Sequence, residues 1–203
     1  KVIELSPEHI SYYQLTDEQN TNYLYDKSGG LPSDDEQNYN QEDCVSLLES
    51  AGYTRYEITS FSKKNFECKH NLNYFRFGDY IAVGAGAHGK FRLTKNNMIR
   101  YQKLSDPHIY MKNIISNKSS YTEKLLSNSD KIFEFMLNNL RLMSGFSIVH
   151  FESATGLKYD TIERKLSKLN NLNLMEYYPT GYWKPTALGF KFLDNLQCEF
   201  LKF

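Results

Sequence analysis

A chain of 203 residues and 23.8 kDa can bury a sizeable core, and its length allows one domain or two small ones. Its 24 Lys and Arg balance 24 Asp and Glu, so a net charge of zero gives no sign of a general binder of nucleic acid or acidic lipid. The three cysteines, Cys44, Cys68 and Cys198, are far apart and form no C-x-x-C pair, which indicates neither a zinc site nor a disulfide framework and fits a reducing, cytoplasmic setting. No apolar run approaches the roughly 18 residues of a membrane span, and no signal-peptide core opens the chain. Aromatics reach 15%, with 16 Tyr and 13 Phe. Such a surplus suits pockets for flat ligands, although biased base composition and ordinary core filling produce it more often.

Residues 1–7 read as the end of a helix followed by a turn, as if the chain began inside a larger fold. The β-branched and aromatic run His9-Ile10-Ser11-Tyr12-Tyr13-Gln14-Leu15-Thr16, bounded by Pro7 and by polar residues 17–22, predicts a strand. Residues 34–51 predict a helix, with apolar or small residues at Tyr39, Val45, Leu47, Leu48 and Ala51, acids in the first turns and Gly52 just past the end. Residues 53–61 alternate as a second strand, and strand, helix, strand at this length implies a parallel crossover. A polar loop over 62–73 follows. A third short run, Asp79-Tyr80-Ile81-Ala82-Val83, then opens into Gly84-Ala85-Gly86-Ala87-His88-Gly89. Small residues after a strand signal close approach of the backbone to a ligand or to another element, and equally a tight turn. Residues 98–101 and a helix over 107–115 complete this region.

The composition changes near Asn117-Lys118-Ser119-Ser120, which divides the chain into residues 1–118 and 119–203. Residues 130–143 predict an amphipathic helix with Ile132, Phe133, Phe135, Met136, Leu140 and Met143 on one broad face. A short helix over 147–155 ends at Gly156, and another over 159–169 places Ile162, Leu166 and Leu169 at helical spacing. Residues 174–178 and 182–185 flank a turn at Pro179-Thr180-Gly181 as a β-hairpin, and 186–203 return to helix. The order resembles a winged-helix module. Arg164, Lys165 and Lys168 are offset by Asp160 and Glu163, and the wing adds only Lys184. That face is too mildly positive to favour DNA, and a docking or lid role suits it better.

Taken in order, the 9–16 string followed by Leu31-Pro32, then Tyr56-Glu57-Ile58-Thr59-Ser60-Phe61, then Cys68-Lys69-His70-Asn71-Leu72-Asn73-Tyr74-Phe75, then residues 79–88, resemble the second half of the HemW-like haem chaperones. These belong to the radical S-adenosylmethionine, oxygen-independent coproporphyrinogen III oxidase-like family. Arg141-Leu142 and Pro185-Thr186-Ala187-Leu188-Gly189 fit the C-terminal domain of that family. Each string alone is weak, and their order and spacing together are specific.

The resemblance implies an α/β fold: the last strands and helices of a partial barrel over residues 1–118, and a winged-helix-like C-terminal domain over 119–203. Family members hold a [4Fe–4S] cluster on a C-x-x-x-C-x-x-C loop, and the cluster binds S-adenosylmethionine. Nothing in this sequence matches that loop. The chain is therefore expected to be the C-terminal portion of a longer or split protein, unable by itself to assemble the cluster or cleave the cofactor. The resemblance also puts Thr16 and His88 beside the adenosine of S-adenosylmethionine.

It makes His70, Asn71 and Tyr74 the haem contacts, with His70 as axial iron ligand, Asn71 fixing the imidazole, and Tyr74 with Phe75 giving ring contacts. Phe75 stands where the family string carries Trp, keeping the ring but losing the indole N–H. Cys68 is a second ligand choice. The function so implied is haem binding and delivery to a haem-accepting protein. The rival reading is an anaerobic coproporphyrinogen III dehydrogenase acting on a porphyrin, and a blander one is a winged-helix interaction protein. Without its natural neighbour, the 9–16 strand is expected to present an apolar edge through which copies of the chain can associate.

Overall fold

Residues 1–14, 32–94 and 97–201 are described in the computed structural model, in two units, Lys1–Cys68 and Lys69–Phe203. The first unit opens with a 3-10 turn at Ile3–Leu5 and a short strand, β1 (His9–Ser11). The strand expected over 9–16 is thus realised only at its start, and Leu15 and Thr16 lie outside the described residues. Helix α1 (Asp34–Ser50) begins where the sequence signals it. The Ser33 hydroxyl accepts the Glu36 N–H, and the Glu36 carboxylate accepts the Ser33 N–H in return. These bonds hold the Glu36 carboxyl below its ordinary pKa.

The single strand expected over 53–61 is instead a hairpin, β2 (Thr54–Glu57) and β3 (Ser60–Ser62). No Gly, Pro or Asn marks the reversal. The buried Glu57 carboxylate makes it, accepting the Thr59 N–H at 2.9 Å and its hydroxyl at 2.6 Å. The sheet order is β1-β3-β2, with both pairings antiparallel. Strands β1 and β2 run the same way, as the crossover predicts, but β3 separates them. Leu48, Tyr53 and Phe61 form the core, flanked by Ile3, Ile10, Tyr12, Val45 and Ala51. Tyr39 and Leu47, expected on the apolar face, are exposed. On its outer edge β1 has no strand partner among the described residues, and Val2, Ile3, Ile10, Tyr12 and Leu47 help line a groove of about 270 Å3 beside it.

The second unit begins with α2 (Lys69–Phe75), which starts inside the stretch over 62–73 expected as a polar loop and runs past its end. The apolar run 79–83 makes only a bridge, Tyr80 to Lys90, rather than a strand. The turn at 84–87 leads into β4 (His88–Arg92), which pairs antiparallel with β5 (Met98–Lys103). Asp106 caps α3 (Pro107–Ile115), and β6 (Tyr121–Leu125) completes the sheet β4-β5-β6. The compositional change at 117–120 falls between α3 and β6, within this unit.

After it come α4 (Asn128–Asn139), β7 (Phe146–Ser147), α5 (Ile148–Thr155) and α6 (Asp160–Asn171). The hairpin β8 (Met175–Tyr178) and β9 (Tyr182–Pro185) and the short helices α7 (Ala187–Lys191) and α8 (Leu193–Cys198) follow. Three helices with a small sheet ordered β7-β9-β8 have winged-helix topology, as the sequence predicts. Gly145, at φ +66°, lets the chain pass so close to the Trp183 carbonyl that a Cβ there would strike it.

Phe135 of α4 is wholly buried, with Phe77, Phe146 and Phe151 edge-on at 5.9, 5.2 and 5.2 Å. Phe135→Ala should destabilise the second unit by about 3–5 kcal/mol, read as a lowered urea midpoint. Glu134 of the same helix grips Arg100 of β5 through two bonds, at 2.9 and 2.6 Å, and their side chains are 14% and 27% exposed. Glu134→Ala should cost about 2 kcal/mol, below the roughly 3–5 of a fully buried pair because Arg100 keeps some solvent. In an Arg100→Met background the same change should cost measurably less.

Candidate functional site

Helix α2 gathers three of the expected haem contacts. His70 and Tyr74 stand one turn apart, at i and i+4, so they share a face, and Asn71 lies beside them. The His70 side chain is exposed, whereas Asn71 and Tyr74 are half-buried. Tyr74 touches Phe75 edge-on at 5.7 Å and Tyr80 at 5.2 Å. The Arg141 guanidinium lies 5.1 Å from the Phe75 ring centre.

A chain of hydrogen bonds supports this helix from below. The Tyr80 hydroxyl accepts from Arg100 at 2.9 Å, and Arg100 is the residue bound by Glu134. Burial raises the Tyr80 pKa, so the phenol stays protonated. Burial also opposes the charge on Arg100, but the Glu134 bonds outweigh it and hold the guanidinium pKa above its ordinary value. His150 of α5 donates through Nε2 to the Arg76 carbonyl at 2.9 Å, just past the end of α2. Burial lowers its pKa and favours the neutral ring, which the bond to Arg76 partly offsets.

The C-terminus of α2 forms a Schellman motif. Gly78 N–H donates to the Asn73 carbonyl at 2.8 Å and Phe77 N–H to the Tyr74 carbonyl at 3.1 Å. The residue in the left-handed position is Phe77, at φ +62°. Its carbonyl accepts from Lys90 Nζ at 2.7 Å, and that nitrogen sits 3.3 Å from the Phe77 ring centre. Lys90 is 1% exposed.

The other expected site residues do not belong to α2. His88 is exposed at the start of β4, opposite Gln102, after a turn in which Gly84 and Gly86 take φ of +100° and +71°. Thr16 lies outside the described residues. Cys68, a half-buried free thiol, ends the first unit, whereas His70 belongs to the second. No group of three or more His, Cys, Asp or Glu side chains is placed to hold a metal ion among the described residues. A cluster of the kind expected takes three thiolates from one short loop, and three cysteines as far apart in sequence as Cys44, Cys68 and Cys198 do not fit it. A haem needs only one or two axial ligands, which an exposed imidazole fits.

Reading the sequence missed Tyr80, Lys90, Arg100 and Glu134 as supports of α2. Lys90 carries no signal, because a lysine in a strand ordinarily points to water.

No family model matches the chain. It is 38% identical over 201 residues to the heme chaperone HemW of Haemophilus influenzae, covering 99% of this chain and 51% of that protein. With the heme chaperone HemW of Escherichia coli it shares 37% over 204 residues, covering 99% and 52%. It is 32% identical over 225 residues to the mitochondrial radical S-adenosyl methionine domain-containing protein 1 of Dictyostelium discoideum, covering 96% and 50%. In fold it matches coproporphyrinogen III oxidase (HemN) from Escherichia coli, described as a radical SAM enzyme, at a TM-score of 0.69. That match covers 98% of this chain and 49% of the other at 15% identity, a likeness of fold alone. The chain spans about half the length of the curated relatives it matches. Through nearly all its own residues, then, this α/β chain is similar in sequence to the HemW haem chaperones and alike in fold to half of a radical SAM enzyme.

Proposed function

We propose that this chain is the C-terminal portion of a haem-binding and haem-delivery protein of radical SAM architecture, and that α2 is its haem contact. The observation that carries the reading is the 38% identity to a protein named a haem chaperone, which extends over 99% of the chain and so takes in the His70-Asn71 string. The exposed imidazole of His70, on the first turn of a helix supported from below, suits an axial ligand to haem iron. Tyr74 on the same face offers a ring to the porphyrin, and Asn71 orients the histidine. The haem is cargo, passed to an accepting protein.

S-adenosylmethionine and the [4Fe–4S] cluster belong, in this reading, to the whole protein, with the cluster ligands outside this chain. Thr16 and His88 remain the candidate contacts to S-adenosylmethionine, and the turn before His88, with Gly84 and Gly86 at positive φ and no bulky side chain, supports the second of them by leaving room beside the backbone. The division into a barrel portion over 1–118 and a winged-helix-like module over 119–203 is part of the same proposal, as is a cytoplasmic setting. No helix among the described residues is long and apolar enough to cross a membrane. The edge of β1 that has no strand partner among the described residues, and the apolar groove beside it, make a second copy of the chain a candidate partner. The dehydrogenase reading gains nothing from a likeness to coproporphyrinogen III oxidase that is one of fold alone.

Adding hemin to the 203-residue chain should give a shifted Soret band. His70→Ala should weaken binding at least tenfold and alter that band with little change in unfolding midpoint, because an exposed side chain adds little to stability. An unchanged spectrum and affinity in the variant would move the ligand to Cys68 or to another histidine. Anaerobic incubation with iron and sulfide should yield no stoichiometric iron–sulfur absorption, and a full complement of cluster would overturn the assignment of its ligands to sequence outside this chain.

A further inference from the structure

The helix that carries His70 ends on a strained residue under a buried cation. A Schellman motif puts its penultimate residue at positive φ, where glycine is usual because a Cβ is disfavoured. Here that residue is Phe77, at φ +62°, and the glycine comes one place later. Gly78 is fixed in its own place, because a Cβ there would strike the Asn73 side chain. Phe77 is kept for its ring, which is 1% exposed and packs against Phe135. What opposes the strain is Lys90, through its bond to the Phe77 carbonyl and its position over the ring.

Lys90 itself is under tension. Beyond Phe77, its ammonium lies 4.0 Å from the Met98 sulfur, and no carboxylate among the described residues lies within ion-pair distance. Four charged groups face it: Asp79 from the segment after α2, Arg92 from β4, Arg100 from β5 and Glu134 from α4. Each acid is already engaged, Asp79 with the Arg92 N–H at 3.2 Å and Glu134 with the Arg100 side chain. Backbone strain and a buried unpaired charge both persist only where surrounding structure imposes them, and such places cluster at working sites.

We propose that Lys90 is a positioning residue for the His70 helix: it clamps Phe77 in the left-handed conformation, and opening of the clamp releases the end of α2 and changes how His70 is presented. The inference rests on reading α2 as the haem contact. In the open state the lysine is hydrated and Phe77 relaxes. Burial, the largest influence, lowers the Lys90 pKa from 10.5 to about 8 in the closed state. The sign follows from linkage: the charge weighs fully against the closed state below pH about 8, and that weight is lifted as pH rises from there towards 10.5. From pH 7.5 to 9 the opening equilibrium should fall about eightfold.

Amide exchange by NMR on the 203-residue chain, corrected for intrinsic rates, reads this directly. The amides of Arg76, Phe77 and Gly78 should gain about eightfold protection over that pH step, while those of Ile162 and Leu166 in α6 should not. In Lys90→Met the step should vanish. At pH 9 the variant's three amides should be at least fivefold less protected than the parent's, since the neutral amine still donates to Phe77 and methionine cannot. The His70-dependent part of the hemin Soret shift should follow the same pH step in the parent and not in the variant. A flat exchange profile in the parent, or the same profile in Lys90→Met, overturns the clamp. Should Lys90→Met fail to fold, the parent's profile at Arg76 to Gly78 against Ile162 and Leu166 still decides. A parent that binds no hemin sinks the haem reading, and the exchange data then judge the clamp by themselves.

Discussion

Phe135 is the side chain on which the second unit is assembled. Its ring receives Phe77 from the segment after α2, Phe146 from β7 and Phe151 from α5, all edge-on, with His150 tilted at 5.3 Å. Edge-on aromatic pairs add about 0.5–1.5 kcal/mol each beyond the apolar area they bury. The winged-helix core and the anchorage of α2 therefore share one residue. Phe77 cannot swing out of its left-handed conformation without giving up its place against Phe135, so the strain at the end of α2 is underwritten by the core of the neighbouring module.

The polar residues around α2 show two ways of treating a buried charge. Arg100 is matched by a carboxylate that takes two of its N–H groups and by a phenol that takes a third, so its desolvation is largely offset. Lys90 has one carbonyl, one thioether and one ring. A ring face and a sulfur replace only part of the hydration an ammonium loses, and burial lowers its pKa for that reason. By contrast, the helices and wing of the module bury Ile162, Leu166, Leu169, Met175 and Leu196 almost completely. Of the two cations, the one with the poorer partners, Lys90, thus lies against the end of the helix that carries His70.

How much of this was legible in the sequence depended on whether a local signal existed. The helix at 34–50, the hairpin at 175–185 and the helices at 148–155 and 160–171 all carry strong markers, in caps, a turn glycine or apolar spacing, and they form as read. The break in the strand over 53–61 left no mark, because a carboxylate two residues before Thr59 does the work of a turn residue. Helix α2 was hidden for a related reason: it has seven residues, five of them polar or charged if Tyr74 is counted, and its stability comes from packing against α4 and from its C-terminal motif. The candidate site divides in the same way. His70, Asn71 and Tyr74 were found from a string that resembles a family, whereas Lys90 and Glu134 owe their roles to a fold that brings distant residues under α2.

The winged-helix topology does not by itself make the module a reader of DNA. Such a reading needs several cations free to neutralise phosphates on one surface. Of the basic residues on α6, Lys165 donates to the Glu199 carbonyl, and Lys168 makes an ion pair with the Glu199 carboxylate at 3.1 Å. Both are drawn back onto the chain just beyond α8. Arg164 shares the helix with Asp160 and Glu163 in its first turn. An approaching phosphate would have to displace Glu199 to reach two of the three cations. What the module visibly contributes is mechanical: through Phe135, Phe151 and His150 it holds the end of α2, so its place in the molecule is explained by support of that helix before any recognition of a nucleic acid is invoked.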